Sequence, residues 1–348
     1  MSADESVSPE DAAAAAGLVY VEDTQPGYGR RRCGRGFAYI DLRTGQVLND
    51  AAIIDRLRRL VVPPAWTDVW FCTDPQGHIQ ATGRDARRRK QYRYHDDWSR
   101  VRDEAKFDAL AYFGRALPCL RRRVETDMGQ RALSFERVVA TTVWLLDRTL
   151  IRIGNNEYAR SDESYGITTL LDDHVDIGAS TLRFRFTGKS GKPHDVVLHD
   201  RRVARTVSRC QELPGQQLFQ YVDGDDVRAV DSRDVNAYIR DVTSTDFTAK
   251  TFRTWGASVL TFELLRLGGP PTSPAEATRQ AREAIKAAAS ELRNTPTVCR
   301  RSYVHPLVLE AHTSGALHED LRPARRVNGS RWLSAQERDL LALLEGRR

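Results

Sequence analysis

The chain has 348 residues, 41% of them hydrophobic and 29% charged, with a formal net charge of +6. This length exceeds the usual single-domain size, so two domains are expected, and the apolar fraction suits folded cores. No run of ~20 apolar residues offers a membrane span, Met1 to Gly17 lacks the pattern of a secretory signal, and five scattered cysteines with no C-x-x-C pair read as reduced thiols of a cytoplasmic protein.

Residues 1–16 carry Asp4, Glu5, Glu10 and Asp11 without any Lys or Arg, then an alanine run from Ala12 to Ala16. Lacking aromatic and branched anchors, residues 1–17 are expected to be a disordered acidic tail. The rest of the chain is then about ten charges positive, with Arg30, Arg31, Arg32 and Arg35 in one cluster and Arg84, Arg87, Arg88, Arg89, Lys90 and Arg93 in another. An ordinary basic surface could give the same total. The clustering favours a polyanion partner, because neutralised phosphates release condensed counterions.

From residue 18 to 97 short strand signals alternate with turns. Phe37 to Ile40 is strand-like, and a short helix opening at Asn49 puts Ile53, Ile54, Leu57, Leu60 and Val61 on one side before Pro63-Pro64 ends it. Val69 to Cys72 and His78 to Thr82 flank the Asp74-Pro-Gln-Gly77 turn as a hairpin. Gln91 to Tyr94 alternates sides on a strand, so Tyr92 and Tyr94 share a face.

Beyond Asp97 the period changes, which places the domain boundary there and gives 98–348 as the second domain. Trp98, Val101, Phe107, Leu110, Phe113 and Leu117 fit a long helix, and Ser134 caps a second with Phe135, Val138, Val139, Val143, Leu145 and Leu146. Strands are expected at Gly166 to Leu170, Thr181 to Thr187 and Asp195 to His199, with Gly188-Lys-Ser-Gly191 turning between the last two. Helices dominate after Arg201. Ser273-Pro-Ala-Glu276 is a capping box opening an alanine-rich helix to Leu292, and Ser334-x-x-Glu337 opens a terminal one. The fold class is therefore α+β: an N-terminal β-sheet domain and a mainly α-helical domain carrying a small three-stranded sheet.

The residues able to handle a phosphate form one ordered series: Arg152 in Arg-Ile-Gly, Lys189 in Phe-Thr-Gly-Lys, Arg253 in Lys250-Thr-Phe-Arg-Thr-Trp-Gly256, Asn294 in Asn-Thr-Pro, and Tyr303 ending Cys-Arg-Arg-Ser-Tyr. Guanidiniums match the geometry and charge of a phosphodiester, and an amide adds a hydrogen bond. A tyrosine hydroxyl can attack the phosphorus. A lysine at a hairpin tip can protonate the departing oxygen, and Lys250, one helical turn before Arg253, can support proton transfer. This chemistry requires neither metal nor cofactor. His305, His312 and His318, spaced seven and six apart, do not form a metal set, and Asp223-Gly-Asp-Asp226 reads as a turn, not a calcium loop.

These motifs and their order resemble the type IB DNA topoisomerases, in the small form shared by poxviruses and bacteria. The likeness runs from about Gly29 to about Glu310 and includes Arg35-Gly-Phe37, Pro63-Pro-Ala-Trp66, Gly77-His-Ile-Gln-Ala-Thr-Gly-Arg-Asp85 and Lys90-Gln-Tyr-Arg-Tyr94. The resemblance implies a monomer closing as a two-lobed clamp around duplex DNA in the nucleoid. Tyr303 would be the nucleophile, Arg152, Arg253 and Asn294 the phosphate contacts, and Lys189 and Lys250 the proton-transfer pair. It also implies DNA contacts from Arg87, Arg88, Arg89, Lys90, Gln91, Tyr92, Tyr94 and Tyr158, the 91–94 segment entering the major groove. Two positions depart from the poxvirus pattern: Asn294 replaces a histidine, so only a hydrogen-bonding role carries over, and Asn155 replaces a lysine that contacts the target site. The alternatives are a tyrosine recombinase, whose second box reads His-x-x-Arg where this chain has Lys250-x-x-Arg253, and a catalytically silent DNA-binding protein of the same fold.

Overall fold

The computed structural model describes residues 8–318 and 330–346. The chain divides into two compact units, one ending at Lys106 and the other starting at Phe107. This divide lies beyond the expected boundary near Asp97, inside a helix that spans Asp96–Met128.

In the first unit, Ser8 accepts a hydrogen bond from the Asp11 N–H and caps α1 (Pro9–Ala15). The tail expected to be disordered is therefore helical from Pro9 onward. Small side chains make the packing possible: Ala13 is fully buried in a cluster with Leu18 and Trp98. Residues 1–7 of that tail lie outside the described residues. Strands β1 (Gly27–Cys33), β2 (Gly36–Asp41), β3 (Thr67–Cys72), β4 (Ile79–Arg84) and β5 (Lys90–Tyr94) form an antiparallel sheet in the order β2-β1-β3-β4-β5. The β3–β4 pairing sets Trp70 against Thr82 and Phe71 against Ala81, the hairpin expected from the turn residues. Helix α2 (Ala51–Arg59), capped by Asp50, buries Leu57 with Tyr39, Val69, Phe71 and Ala81.

Helix α3 (Asp96–Met128) continues through Pro118 because Leu120, Val124 and Met128 prolong its buried stripe. In the second unit, Ser134 caps α4 (Phe135–Thr149), and α5 (Asn156–Asp162) follows. Strands β6 (Val175–Ile177), β7 (Thr181–Gly188) and β8 (Lys192–His199) form the small sheet. Its outer strand is not the expected 166–170 segment, which turns as a 3-10 helix at Ile167–Thr169. There the Thr169 hydroxyl accepts from the Gly166 N–H and donates to the Gly166 carbonyl, closing a local turn in place of a ladder. An apolar run buried on all sides carries no period to separate the two outcomes.

Helix α6 (Arg201–Gln211) precedes a hairpin, β9 (Gln220–Asp223) and β10 (Asp226–Ala229), with the expected turn between Asp223 and Asp226. The remaining helices are α7 (Ser232–Thr243), α8 (Ala249–Leu267), α9 (Pro274–Glu291), α10 (Pro296–Ser302), α11 (Pro306–Thr313) and α12 (Ala335–Leu344). The main core gathers Phe113, Leu146, Phe184, Phe252, Trp255 and Leu341. Behind it, Arg121 pairs with Asp147 at 2.8 Å and with Glu337 at 2.7 Å, and Glu337 also accepts from the Trp255 indole at 3.0 Å. Among the described residues no helix is long and apolar enough to cross a membrane.

Candidate active site

Arg152 leaves the end of α4 on a backbone path that only small residues permit. Gly154 has φ +101°, and a Cβ on Gly166 would come within 2.4 Å of the Arg152 carbonyl and 2.5 Å of the Gly154 nitrogen. The Ile167 N–H donates to that Arg152 carbonyl at 2.9 Å. The glycine after Arg152-Ile is thus part of how the arginine is aimed.

Arg253 is only 3% exposed on α8. Its guanidinium donates to the Leu150 carbonyl and, at 2.8 Å, to the Leu292 carbonyl, so it is clamped between the ends of α4 and α9. The rest of its motif supports that clamp. A Cβ on Gly256 would stand 2.5 Å from Leu150, so glycine lets α4 and α8 approach, while Trp255 anchors on Glu337.

Asn294 and Tyr303 come from the loop after α9 and the end of α10. Thr295 caps α10 by accepting from the Val298 N–H, and Pro296 starts the helix, which accounts for the Asn-Thr-Pro signature. Tyr303 is the residue at which α10 stops, and Ser258 of α8 fixes its backbone: the Ser258 hydroxyl donates to the Tyr303 carbonyl and accepts from the His305 N–H.

These side chains meet. Arg152 donates to the Asn294 amide oxygen at 2.5 Å, and the Arg253 guanidinium lies 5.2 Å from the centre of the Tyr303 ring. Burial alone would raise the Tyr303 hydroxyl, but the positive charges of Arg253, Arg152 and Lys250 outweigh it and hold the phenol below its ordinary pKa. Burial pushes Arg253 down to about 10, with Arg152 beside it adding to the effect, and burial likewise lowers Arg152. Arg253 remains a cation near neutral pH. Three donors here are buried without a hydrogen-bonding partner: Arg152 Nη1, Arg253 Nε and Asn294 Nδ2. A buried donor left unpaired costs about 1–3 kcal/mol, so a cluster of them is suited to an anion with several acceptor oxygens.

The two lysines stand outside this knot. Lys250 is exposed in the first turn of α8, within electrostatic range of Tyr303. Lys189 is exposed at the tip between β7 and β8, where Ser190 (φ +63°) and Gly191 (φ +69°) make the turn. His194, on β8, links this hairpin to the knot: it is close enough for Arg293, Arg152 and Arg253 to act on its charge.

Residues 90–320 match the family described as eukaryotic DNA topoisomerase I, catalytic core, and residues 36–85 match the bacterial DNA topoisomerase IB N-terminal domain. The DNA topoisomerase 1B of Acanthamoeba polyphaga mimivirus is 32% identical over 267 residues, covering 74% of this chain and 80% of the viral protein. The chain belongs to the type IB DNA topoisomerases. A shorter likeness, 31% over 88 residues, joins 25% of the chain to 8% of DNA topoisomerase 1 of Mycosarcoma maydis.

In this topoisomerase the expected DNA-contact residues differ in how they are held. Lys90 pairs with Asp23 at 2.7 Å, Arg89 with Asp85 at 2.8 Å, and Gln91 donates to Asp85 at 3.1 Å. Arg87 and Arg88 are exposed on the β4–β5 turn. Tyr92 and Tyr94 do share a face, their rings stacked 5.8 Å apart. Arg30 is not part of a free basic stripe: it donates to the carbonyls of Val62 and Trp66 and lies over Phe37, holding the 62–66 bend. Tyr158 belongs to α5, but its side chain lies outside what is described. Asn155 caps that helix by accepting from the Glu157 N–H.

His305 caps α11, His312 and His318 face each other at 3.4 Å, and among the described residues no three His, Cys, Asp or Glu side chains gather as metal ligands. Sequence reasoning missed Leu150, Ser258 and His194. The first acts through its backbone and the second through a hydroxyl in mid-helix, neither of which leaves a pattern. His194 had one signal, its place on the inward side of an alternating strand.

Proposed function

We propose that this topoisomerase relaxes supercoils of either sign by transient cleavage of one DNA strand through Tyr303, without ATP or metal. The observation that carries the reading is the set of buried, unpartnered donors of Arg152, Arg253 and Asn294 beside a phenol held below its usual pKa. One phosphodiester placed there would satisfy the donors, and its growing negative charge under attack would strengthen each contact.

In the cleavage step Tyr303 Oη bonds to phosphorus as its proton passes to solvent water, and the bond from phosphorus to the 5′ oxygen breaks. Lys189 supplies the proton that makes the leaving group a 5′ hydroxyl, with Lys250 supporting the transfer. The 3′-phosphotyrosyl link stores the bond, so the reverse step rejoins the strand after rotation. We further read the active form as a monomer that encloses duplex DNA, with Arg87, Arg88, Arg89, Lys90, Gln91, Tyr92, Tyr94 and Tyr158 as its contacts outside the cleavage site.

Relaxation of supercoiled plasmid in EDTA without ATP tests the reading, together with a covalent-adduct assay. Wild type is expected to give a ladder of relaxed topoisomers and a protein–DNA adduct, and Tyr303→Phe to bind DNA with no adduct. Resolved products from two sites would indicate a recombinase. A shifted but uncut plasmid would indicate a silent binder, and an adduct persisting in Tyr303→Phe would move the nucleophile elsewhere.

A further inference from the structure

His194 has no part in the chemistry described so far, yet it packs under the lysine hairpin and lies within electrostatic range of the guanidinium knot. On β8 it pairs across the ladder with Phe186 of β7, and the two rings stack with centroids 4.6 Å apart and planes 5° from parallel. Another edge of the imidazole closes on Gly188, the residue before Lys189: a Cβ there would stand 2.7 Å from both Cδ2 and Nε2. The ring therefore fills the underside of the hairpin tip, and it is why that position must be glycine. Lys189 itself makes no hydrogen bond or ion pair among the described residues, so its direction is inherited from the backbone of Gly188 and the Ser190–Gly191 turn.

The ring is 7% exposed. Burial first, and then the charges of Arg293, Arg152 and Arg253, push its pKa down to about 4. It is neutral under working conditions and adds bulk without adding a further positive charge to the knot.

We propose that His194 is a positioning residue for Lys189, a neutral aromatic wedge that fixes the tip of the β7–β8 hairpin so that the lysine reaches the departing 5′ oxygen. This rests on the reading of Lys189 as the proton donor. Displacing a reacting group by about 1 Å costs up to about 10²-fold, less than losing a general acid outright at ~10²–10⁴-fold.

The test compares single-turnover cleavage of an ordinary substrate with one whose 5′ bridging oxygen is replaced by sulfur, because a thiolate leaves without a proton. Lys189→Ala is the reference: slow on oxygen and largely restored on sulfur. Equal slowing of Lys189→Ala on both substrates would sink the reading of Lys189 itself, separately from any role of His194. With that reference in place, His194→Ala is expected to be slower on oxygen by about 10- to 10²-fold and near wild type on sulfur. His194→Phe, which keeps a neutral stacked ring, is expected to recover most of the loss. Gly188→Ala presses on the same contact from the other side and is expected to show the same oxygen-selective defect, which keeps the test open if His194→Ala folds poorly. Equal slowing on both substrates by His194→Ala or Gly188→Ala, or no slowing on either, would overturn the proposal.

Discussion

At Tyr303 two opposing effects meet. Burial disfavours the phenolate, while Arg253, Arg152 and Lys250 favour it, and the cations prevail. Removing a cation withdraws support from the charged form, so the pKa must rise and less phenolate is present at a given pH. In a ring-labelled NMR titration of the DNA-free enzyme, the Tyr303 midpoint is expected below the ordinary ~10. It should move up in Lys250→Ala and further up in Arg152→Ala; a midpoint that fell in either variant would contradict the assignment. Asn294 offers a sharper separation, because its oxygen accepts from Arg152 while its nitrogen is a buried donor with no partner. Asn294→Asp keeps the first and turns the second into an anion facing the phosphate. Single-turnover cleavage is expected to fall by ~10²–10³-fold in Asn294→Ala and at least as far in Asn294→Asp. A near-normal rate in the aspartate variant would mean the amide donor is not used.

Among the elements, the segment from the end of α4 to the 3-10 turn carries the most local constraint. Backbone atoms, not flexible side chains, surround Gly166, so an added Cβ has no neighbour that can yield cheaply. Gly166→Ala is expected to destabilise the fold by about 1–3 kcal/mol, read as a lowered midpoint in denaturant. Because the clash falls on the Arg152 carbonyl, cleavage should drop beyond what the stability loss explains, with DNA binding nearly intact. A stable variant with full activity would show that Arg152 does not depend on this contact. Helix α8 is the other organising element, since it presents Lys250, carries Arg253 into the clamp formed by the ends of α4 and α9, and holds the Tyr303 backbone through Ser258.

Across the whole molecule, the basic excess divides into charges already neutralised and charges still available. Lys90 and Arg89 face Asp23 and Asp85, and Arg30 is spent on backbone carbonyls. Arg31, Arg32 and Arg35 are exposed, with no acidic partner among the described residues. The slope of log affinity against log salt follows the phosphates neutralised, roughly −0.9 for each. Replacing Arg31, Arg32 and Arg35 with Ala is therefore expected to flatten the slope more than replacing Arg89 and Lys90, with cleavage at saturating enzyme preserved. The opposite order would mean that DNA displaces Asp23 and Asp85 from their partners.

The sequence alone determined what depends on neighbours a few residues apart. Ser134, Ser273 and Ser334 each cap the helix they were expected to open, because the bond runs only to the third residue on. The β3–β4 hairpin and the Lys189 turn were legible for the same reason, through turn residues between alternating runs. The order of the motifs was enough to point to the family, since each motif has a local backbone requirement of its own. Tertiary structure decided everything that rests on distant partners. The clamp on Arg253 joins positions 103 and 39 apart, and the pairing of Lys90 with Asp23 spans 67. Nothing in the local pattern separates a lysine that will find an aspartate from one left in solvent, or a histidine that will wedge under a glycine from one at a strand edge. The alanine run from Ala12 had too little apolar surface to suggest a fold by itself; Leu18 and Trp98 supplied the rest. These contacts exist only once the chain has closed, because what selects them is the shape and charge of the surfaces that folding brings together.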